Sequence, residues 1–379
     1  MRVVVLGAGR VGQAIALDLA ASGFAVAATD SDPMALAPLA ARGLATVRAD
    51  LADRDAVVQL VAEFDLVVGA LPAALGYRTV EAVIDAGRAI VDISFFEEDP
   101  FGLDALARER GVVAVVDAGV APGLSNIIYG HFAAGADRVR RLVCYVGGLP
   151  AEPSGLMRYK APFSPADVIE LYTRPARYRT GGVLTTVPAL SEITSLDVPG
   201  VGSLEAFLTD GLRSLLREDH VPEMREMTLR YPGHVQQMLL LREIGLLSTA
   251  PLTVGSTRIS PRAVVTTLLF PLWEFAPGEP DLTVLHVEID VEQGGSAERH
   301  TFDLLDRHDA ESGTSSMART TGYTCTAIVQ LVADGTYGRT GVSAPEDVGR
   351  VEGCFDRVRS YLEARGVRLT ETRSPLPPA

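Results

Sequence analysis

Through the first 120 residues, short aliphatic runs alternate with stretches whose apolar positions recur at helical spacing. The runs at 2–6, 25–29, 45–48, 66–69, 89–93 and 112–116 predict strands, and 11–22 and 33–42 predict helices. These strands are apolar continuously rather than at every second residue. Such strands are covered on both faces, as in a parallel sheet layered between helices. The segment Asp117–Ser125, DAGVAPGLS, is punctuated by Gly and Pro and marks a boundary. Beyond it, 141–147, 282–292 and the run near 263–267 predict strands between longer polar loops, an α+β pattern on a mixed or antiparallel sheet. Helical patterns return at 315–332 and 348–365, and the closing SPLPPA predicts a frayed end.

The first strand runs directly into Gly7-Ala8-Gly9-Arg10-Val11-Gly12, followed by apolar Ile15 and Leu19. A GxGxxG between a strand and a helix is the dinucleotide fingerprint in its required context. Gly7 permits the tight turn, Gly9 lets backbone approach a pyrophosphate, and Gly12 lets helix and strand pack closely. The amides of Arg10 and Val11 open a helix whose positive end faces the phosphates. Asp30 ends the second strand, where an acid bonds ribose hydroxyls and repels a 2′-phosphate, so NAD is expected over NADP. Asp32-Pro33 also reads as a helix start. Asp50 after the third strand, and Ala70-Leu71-Pro72 after the fourth, are further cofactor contacts or plain loop residues.

The expected fold class is therefore α/β: an N-terminal Rossmann-type doubly wound parallel sheet with a second α+β domain. The expected division is 1–120 for the dinucleotide, with helices of about 315–379 packing back on it, and 121–314 for substrate and oligomerisation. Ligands of an open α/β sheet sit beyond the carboxyl ends of its strands. Asp92 and Glu97 follow the fifth strand and Asp117 the sixth, so these acids are candidates to act near the nicotinamide. Glu97 and Glu98 also read as an exposed acidic turn, and Asp117 as a turn-forming residue.

The net charge of −14 argues against nucleic acid. The apolar runs are too short and broken to span a membrane. The opening strand leaves no room for a signal peptide, so a cytoplasmic location is expected. Cys144, Cys325 and Cys354 are widely spaced and read as buried thiols, and no HxH, HExxH or CxxC spacing suggests a metal. Lys160 is the only lysine among 34 basic residues. Arg replaces Lys at most surface sites but not where a compact amine is needed, which singles out Lys160.

The fingerprint, DAGVAPGLSN at 117–126, Tyr159-Lys160, YTRPAR at 172–177 and SMARTTG at 316–322 together resemble the saccharopine dehydrogenase-like family, and within it the lysine 6-dehydrogenases. The resemblance runs over most of the chain, and DAGVAPGL and YTRPAR are its more specific parts. It implies NAD-dependent oxidation of the ε-amino carbon of L-lysine, with hydrolysis to the semialdehyde and cyclisation to a piperideine carboxylate. It also implies a homodimer or larger assembly. Asp117 matches an acid resembling the catalytic Asp of the saccharopine reductases. A general base is needed because the free ε-amine has a pKa of about 10.4. Lys160 is a second candidate for proton transfer, and Glu97 and Asp92 for holding the substrate ammonium. The substrate carboxylate calls for a cation, with Tyr159, Lys160, Tyr172, Arg174 and Arg177 as candidates and surface solvation as the alternative for both arginines. His234 and Thr320 are further substrate candidates. His234 also reads as a structural histidine, and Thr320-Thr321-Gly322 as a helix cap. Two other readings keep the same fold. One is an imine-reducing enzyme of the saccharopine or carboxynorspermidine type, and the other is a non-catalytic NAD sensor.

Overall fold

The computed structural model describes residues 1–377. The chain divides into two compact units, Met1–Arg138 with Ala318–Leu369, and Val139–Met317 with the chain from Thr370 on.

The first unit is built on strands β1 (Arg2–Leu6), β2 (Ala25–Asp30), β3 (Ala45–Arg48), β4 (Leu66–Gly69), β5 (Ala89–Asp92) and β6 (Val113–Val115). With Gly341–Ser343 at the far edge they form one sheet in the order Gly341–Ser343, β6, β5, β4, β1, β2, β3, and every pairing is parallel. The order reverses at β1, and the helix α1 (Arg10–Ala21) starts there. That reversal is the crevice where doubly wound sheets bind nucleotides. Val3, Val4, Val5 and Leu6 are all fully buried, which accounts for the unbroken apolar run. Val80, Val83 and Ile84 of the helix Ala73–Asp85 join Leu6, Val67 and Ile90 in the core.

The second unit centres on a nine-stranded mixed sheet. Its main path runs Thr194–Val198, Gly202–Leu208, Glu223–Arg230, Arg138–Pro150, Asp281–Gln293, Ser296–Arg307, Thr370–Leu376. Glu223–Arg230 is parallel to Arg138–Pro150. The long hairpin Asp281–Gln293/Ser296–Arg307 turns on Gly294 and Gly295. Both have positive φ, the conformation a two-residue hairpin turn demands.

Four expectations need correction. Residues 263–267 lie in a helix, Pro261–Trp273, not a strand. Its β-branched residues suggest a strand, but Ser260 caps it, Pro261 begins it, and the buried residues Pro261, Val265, Leu269 and Trp273 recur every fourth position. The span 348–365 is two helices, Pro345–Gly349 and Cys354–Glu363, broken where Gly353 takes φ 77°. Residues 374–376 are not frayed: they end a strand antiparallel to Ser296–Arg307. That strand lies at the sheet edge, where Pro375 is tolerated. Pro378 and Ala379 lie outside the described residues. Finally, Thr320-Thr321-Gly322 lies inside the helix Ser316–Ala333 and does not cap it. The Asp281 carboxylate accepts the Ser316 and Met317 N–H groups there, at 2.6 and 3.0 Å.

Candidate active site

The glycine turn fits a dinucleotide phosphate. A Cβ on Gly7 would fall 2.3 Å from the Ala70 carbonyl oxygen, and one on Gly12 would fall 2.0 Å from that of Gly7. Both positions exclude any side chain. A Cβ on Gly9 would meet nothing within 4 Å, so at the start of α1 the backbone lies open for close approach. No side chain caps α1, and the positive end of its dipole suits an anion. Arg10 is exposed and Val11 half-buried in this first turn.

Asp30 shapes the same turn. Its carboxylate accepts the Ala8 N–H at 2.8 Å and the Asp32 N–H at 2.9 Å. Asp32 caps the helix Pro33–Ala41 by accepting the Met34 N–H, so the helix-start role falls to Asp32 and not to Asp30. Arg48, at the end of β3, donates Nε–H to the Ser31 carbonyl at 3.1 Å. Asp50 is exposed and accepts the Ala52 N–H, which is turn chemistry. Ala70 bonds back to Leu6, and Pro72 precedes the helix Ala73–Asp85, so Ala70-Leu71-Pro72 borders the Gly7 turn.

Asp92 and Asp117 are both buried at the carboxyl ends of neighbouring strands. The Ala118 N–H donates to the Asp92 carbonyl at 2.9 Å, joining their two loops. Asp92 accepts from the Ser94 N–H and hydroxyl, and it fills the space a Cβ on Gly69 would need. Asp117 takes φ 55°, a left-handed conformation uncommon outside Gly and Asn/Asp and one that marks functional loops. The rest of DAGVAPGLSN is pinned by Asn126. Its side chain accepts the Gly123 N–H and donates to Glu346 at 2.9 Å. Burial, then the charge of Asp92, pushes the Cys325 thiol well up, so it stays protonated. Cys144 and Cys354 are also buried thiols outside any disulfide. Glu97 is exposed on its turn, while Thr320 is buried and its carbonyl accepts from Thr324.

In the second unit, Tyr159, Tyr172, His234 and Trp273 gather around Arg230, the last residue of the strand Glu223–Arg230. Arg230 is 2% exposed. Its Nε–H donates to the Tyr172 hydroxyl at 3.0 Å, and another N–H donates to the Leu229 carbonyl. Its guanidinium lies 4.3 Å from the Tyr159 ring centroid. No carboxylate among the described residues lies within ion-pair distance of it. His234 donates Nδ1–H to the Met157 carbonyl at 2.8 Å, so its Nε2 accepts from the Tyr172 hydroxyl at 2.9 Å. Burial, reinforced by the Arg230 charge, pushes the imidazole down to about 3 and keeps it neutral. Burial also pushes both phenols up, so they stay protonated. The buried Glu226 carboxyl on the same strand acts on Arg230 from beyond ion-pair distance, and a buried cation without a direct salt bridge can take an anionic ligand.

The other candidate cations are engaged. Arg177 is exposed and holds Asp210 through both carboxylate oxygens, each at 2.8 Å, so its fork is filled. Lys160 pairs with Glu279 and lies against Phe275, and its ammonium fastens a loop. Arg174 follows the helix Pro165–Thr173 and is half-buried. Arg230 was absent from the sequence candidates. The sequence offers only its place directly before Tyr231-Pro232-Gly233-His234; the burial that singles it out is seen in the structure. Among the described residues no cluster of His, Cys, Asp and Glu suits a metal, and no helix is long and apolar enough to cross a membrane.

Comparison with known proteins agrees with this layout. The profile described as Saccharopine dehydrogenase NADP binding domain matches residues 3–115, and that described as Saccharopine dehydrogenase C-terminal domain matches 119–367. The saccharopine dehydrogenase [NADP(+), L-glutamate-forming] of Saccharomyces cerevisiae is 23% identical over 90% of this chain and 93% of its own. That of Pyricularia oryzae is 24% identical over 78% and 82%. The alpha-aminoadipic semialdehyde synthase of Arabidopsis thaliana is 24% identical over 86% of this chain, which spans 38% of that longer protein. The apo yeast saccharopine dehydrogenase structure superposes with a TM-score of 0.80 at 21% identity, over 98% of this chain and 99% of that one. The chain is thus an oxidoreductase that belongs to the saccharopine dehydrogenase family.

Proposed function

We propose that this protein oxidises the ε-amino carbon of L-lysine with NAD, releasing ammonia and the 6-semialdehyde, which cyclises to a piperideine carboxylate. The observation that carries the substrate class is Arg230, a buried guanidinium with no carboxylate within ion-pair distance. It would bind the amino acid's carboxylate, and Tyr172, held between Arg230 and His234, would fix the approach. Bound NAD supplies the hydride acceptor. Asp117 takes the proton that the ammonium must lose first, because a protonated amine cannot give up hydride from its carbon. Asp92 supplies a second negative charge for the ammonium. Water then hydrolyses the imine.

NAD is favoured by Asp30, whose carboxylate would meet a 2′-phosphate unfavourably, although the matching profile and two of the relatives carry NADP in their names. A second reading follows from those relatives, with saccharopine as the substrate. Its glutamyl part brings further carboxylates that need further cations. Arg177, Arg262 and Lys160 already hold Asp210, Glu170 and Glu279, which favours the smaller substrate. The test is a panel of L-lysine, ornithine, saccharopine and polyamines with NAD and with NADP, followed by absorbance of the reduced nicotinamide. Turnover is expected with L-lysine and NAD. Turnover of saccharopine alone would move the assignment to the second reading.

A further inference from the structure

Trp273 is the only tryptophan in the chain, and it is fully buried within the Arg230 cluster. It ends the helix Pro261–Trp273, and its carbonyl accepts the Ala161 N–H at 2.9 Å, which fastens it to the segment carrying Tyr159. Its indole lies 5.3 Å from the Tyr159 ring, centroid to centroid, and 6.3 Å from those of Tyr172 and His234. Arg230 lies against the same two phenols, 4.3 Å from the Tyr159 ring and 5.8 Å from the Tyr172 ring. Guanidinium and indole thus share two neighbours, and both belong to the second unit.

An indole N–H can only donate, and a buried one ordinarily finds an acceptor. The Trp273 Nε1–H has none among the described residues. The polar groups around it are already used. The Tyr172 hydroxyl accepts from Arg230 and donates to His234, whose other ring nitrogen donates to the Met157 carbonyl. The Tyr159 hydroxyl accepts an Arg230 N–H at 3.4 Å, and no described residue accepts its own proton. The T-shaped contact with Tyr159 offers Trp273 at most a π face, a weak acceptor. Glu226 does not make up the shortfall, because its carboxyl takes the Thr209 hydroxyl and stands beyond ion-pair distance of Arg230. The cluster is rich in donors and short of acceptors, and a buried donor left unpaired is costly.

We infer that the Trp273 indole N–H is a second donor to the carboxylate that Arg230 binds, so that the cluster selects a free amino-acid carboxylate. The inference rests on the reading of Arg230 as the carboxylate anchor. A carboxylate has two oxygens and about four lone-pair positions, enough to take the guanidinium fork and the indole together. An amide offers one oxygen and brings further donors to a site that lacks acceptors. A diamine brings no acceptor at all. The pair would therefore separate L-lysine from its amide and from polyamines.

Because the chain has one tryptophan, producing it with β-(3-benzothienyl)alanine in place of tryptophan alters this indole alone, with sulfur for N–H and the ring shape kept. L-lysine binding is measured by calorimetry on the full chain saturated with NADH, where no hydride acceptor is present. Loss of the N–H is expected to weaken L-lysine by about tenfold or more, while the thermal midpoint of the free chain stays or rises, because only an unpaired donor is removed. Equal affinity for L-lysine overturns the inference, and so does a fall in the free chain's midpoint that accompanies the weaker binding. If the replaced chain does not fold, the wild-type chain labelled with ¹⁵N decides, since it has a single indole resonance. That resonance is expected to move downfield with L-lysine and to stay in place with L-lysinamide. An unmoved resonance with L-lysine bound overturns the inference. Turnover with NAD is scored separately. L-lysine held through Trp273 but not oxidised would remove the proposed oxidation and leave this inference standing. L-lysine oxidised with an unmoved resonance would remove this inference alone, and no binding of L-lysine overturns both.

Discussion

The glycine turn of the first unit and the Arg230 cluster of the second are built by opposite means. The turn is made of backbone. Its specificity lies in where side chains are forbidden, at Gly7 and Gly12, and in the positive end of the uncapped α1. The cluster is made of side chains buried together from well-separated stretches of sequence: Tyr159, Tyr172, Arg230, His234 and Trp273. A backbone site depends on local conformation and withstands change elsewhere. A side-chain site depends on tertiary packing and on the protonation of each member. The two should therefore fail differently when perturbed.

The largest separation is expected from Asp117→Asn. Turnover should fall by about 10²- to 10⁴-fold while the dinucleotide Kd, read by fluorescence titration, stays within about twofold. An unchanged kcat would remove Asp117 as the base. Next is Arg230→Gln, which should raise KM for the amino acid by about 10- to 100-fold, since a hydrogen bond to a charged group contributes about 1.5–3 kcal/mol. Arg177→Ala, which breaks only an exposed ion pair, should leave KM within about twofold. Equal effects from the two arginines would show that Arg230 is not the carboxylate anchor.

Asp30→Ser sharpens the contrast from the other side. It should weaken NAD binding by about tenfold and narrow the preference over NADP, with Arg48 nearby to receive the 2′-phosphate. Wild type that already prefers NADP would contradict the role given to Asp30. The smallest effect concerns pH. The folded pKa of His234 is depressed to about 3 from an ordinary 6.5, so the neutral imidazole contributes stability above 6.5. That contribution is lost as pH falls from 6.5 toward 3, because the unfolded chain then binds the extra proton. The thermal midpoint of the second unit should drop over that window, and His234→Gln should flatten the profile.

The same contrast explains what the sequence discloses. Strand–turn–helix with GxGxxG, and an acid at the end of β2, are short-range patterns, so the parallel sheet and the cofactor turn are readable along the chain. DAGVAPGLSN is local too, and Asp117 stands at a strand end, as expected. Arg230 escapes because its meaning comes from what surrounds it: as a charge in a strand it looks like surface until burial shows otherwise. Arg177, prominent in YTRPAR, is filled by Asp210, a partner 33 residues away that no spacing rule finds. The helix Pro261–Trp273 is misread because Val264, Val265, Thr266 and Thr267 favour strands, and its cap and four-residue stripe decide otherwise.

The most direct measurement is the stoichiometry of the reaction itself, with L-lysine and NAD as the only added reactants. NADH and ammonia should appear in equal amounts, and the organic product should be the cyclic piperideine carboxylate. Tight dinucleotide binding without NADH from L-lysine would contradict the proposed oxidation.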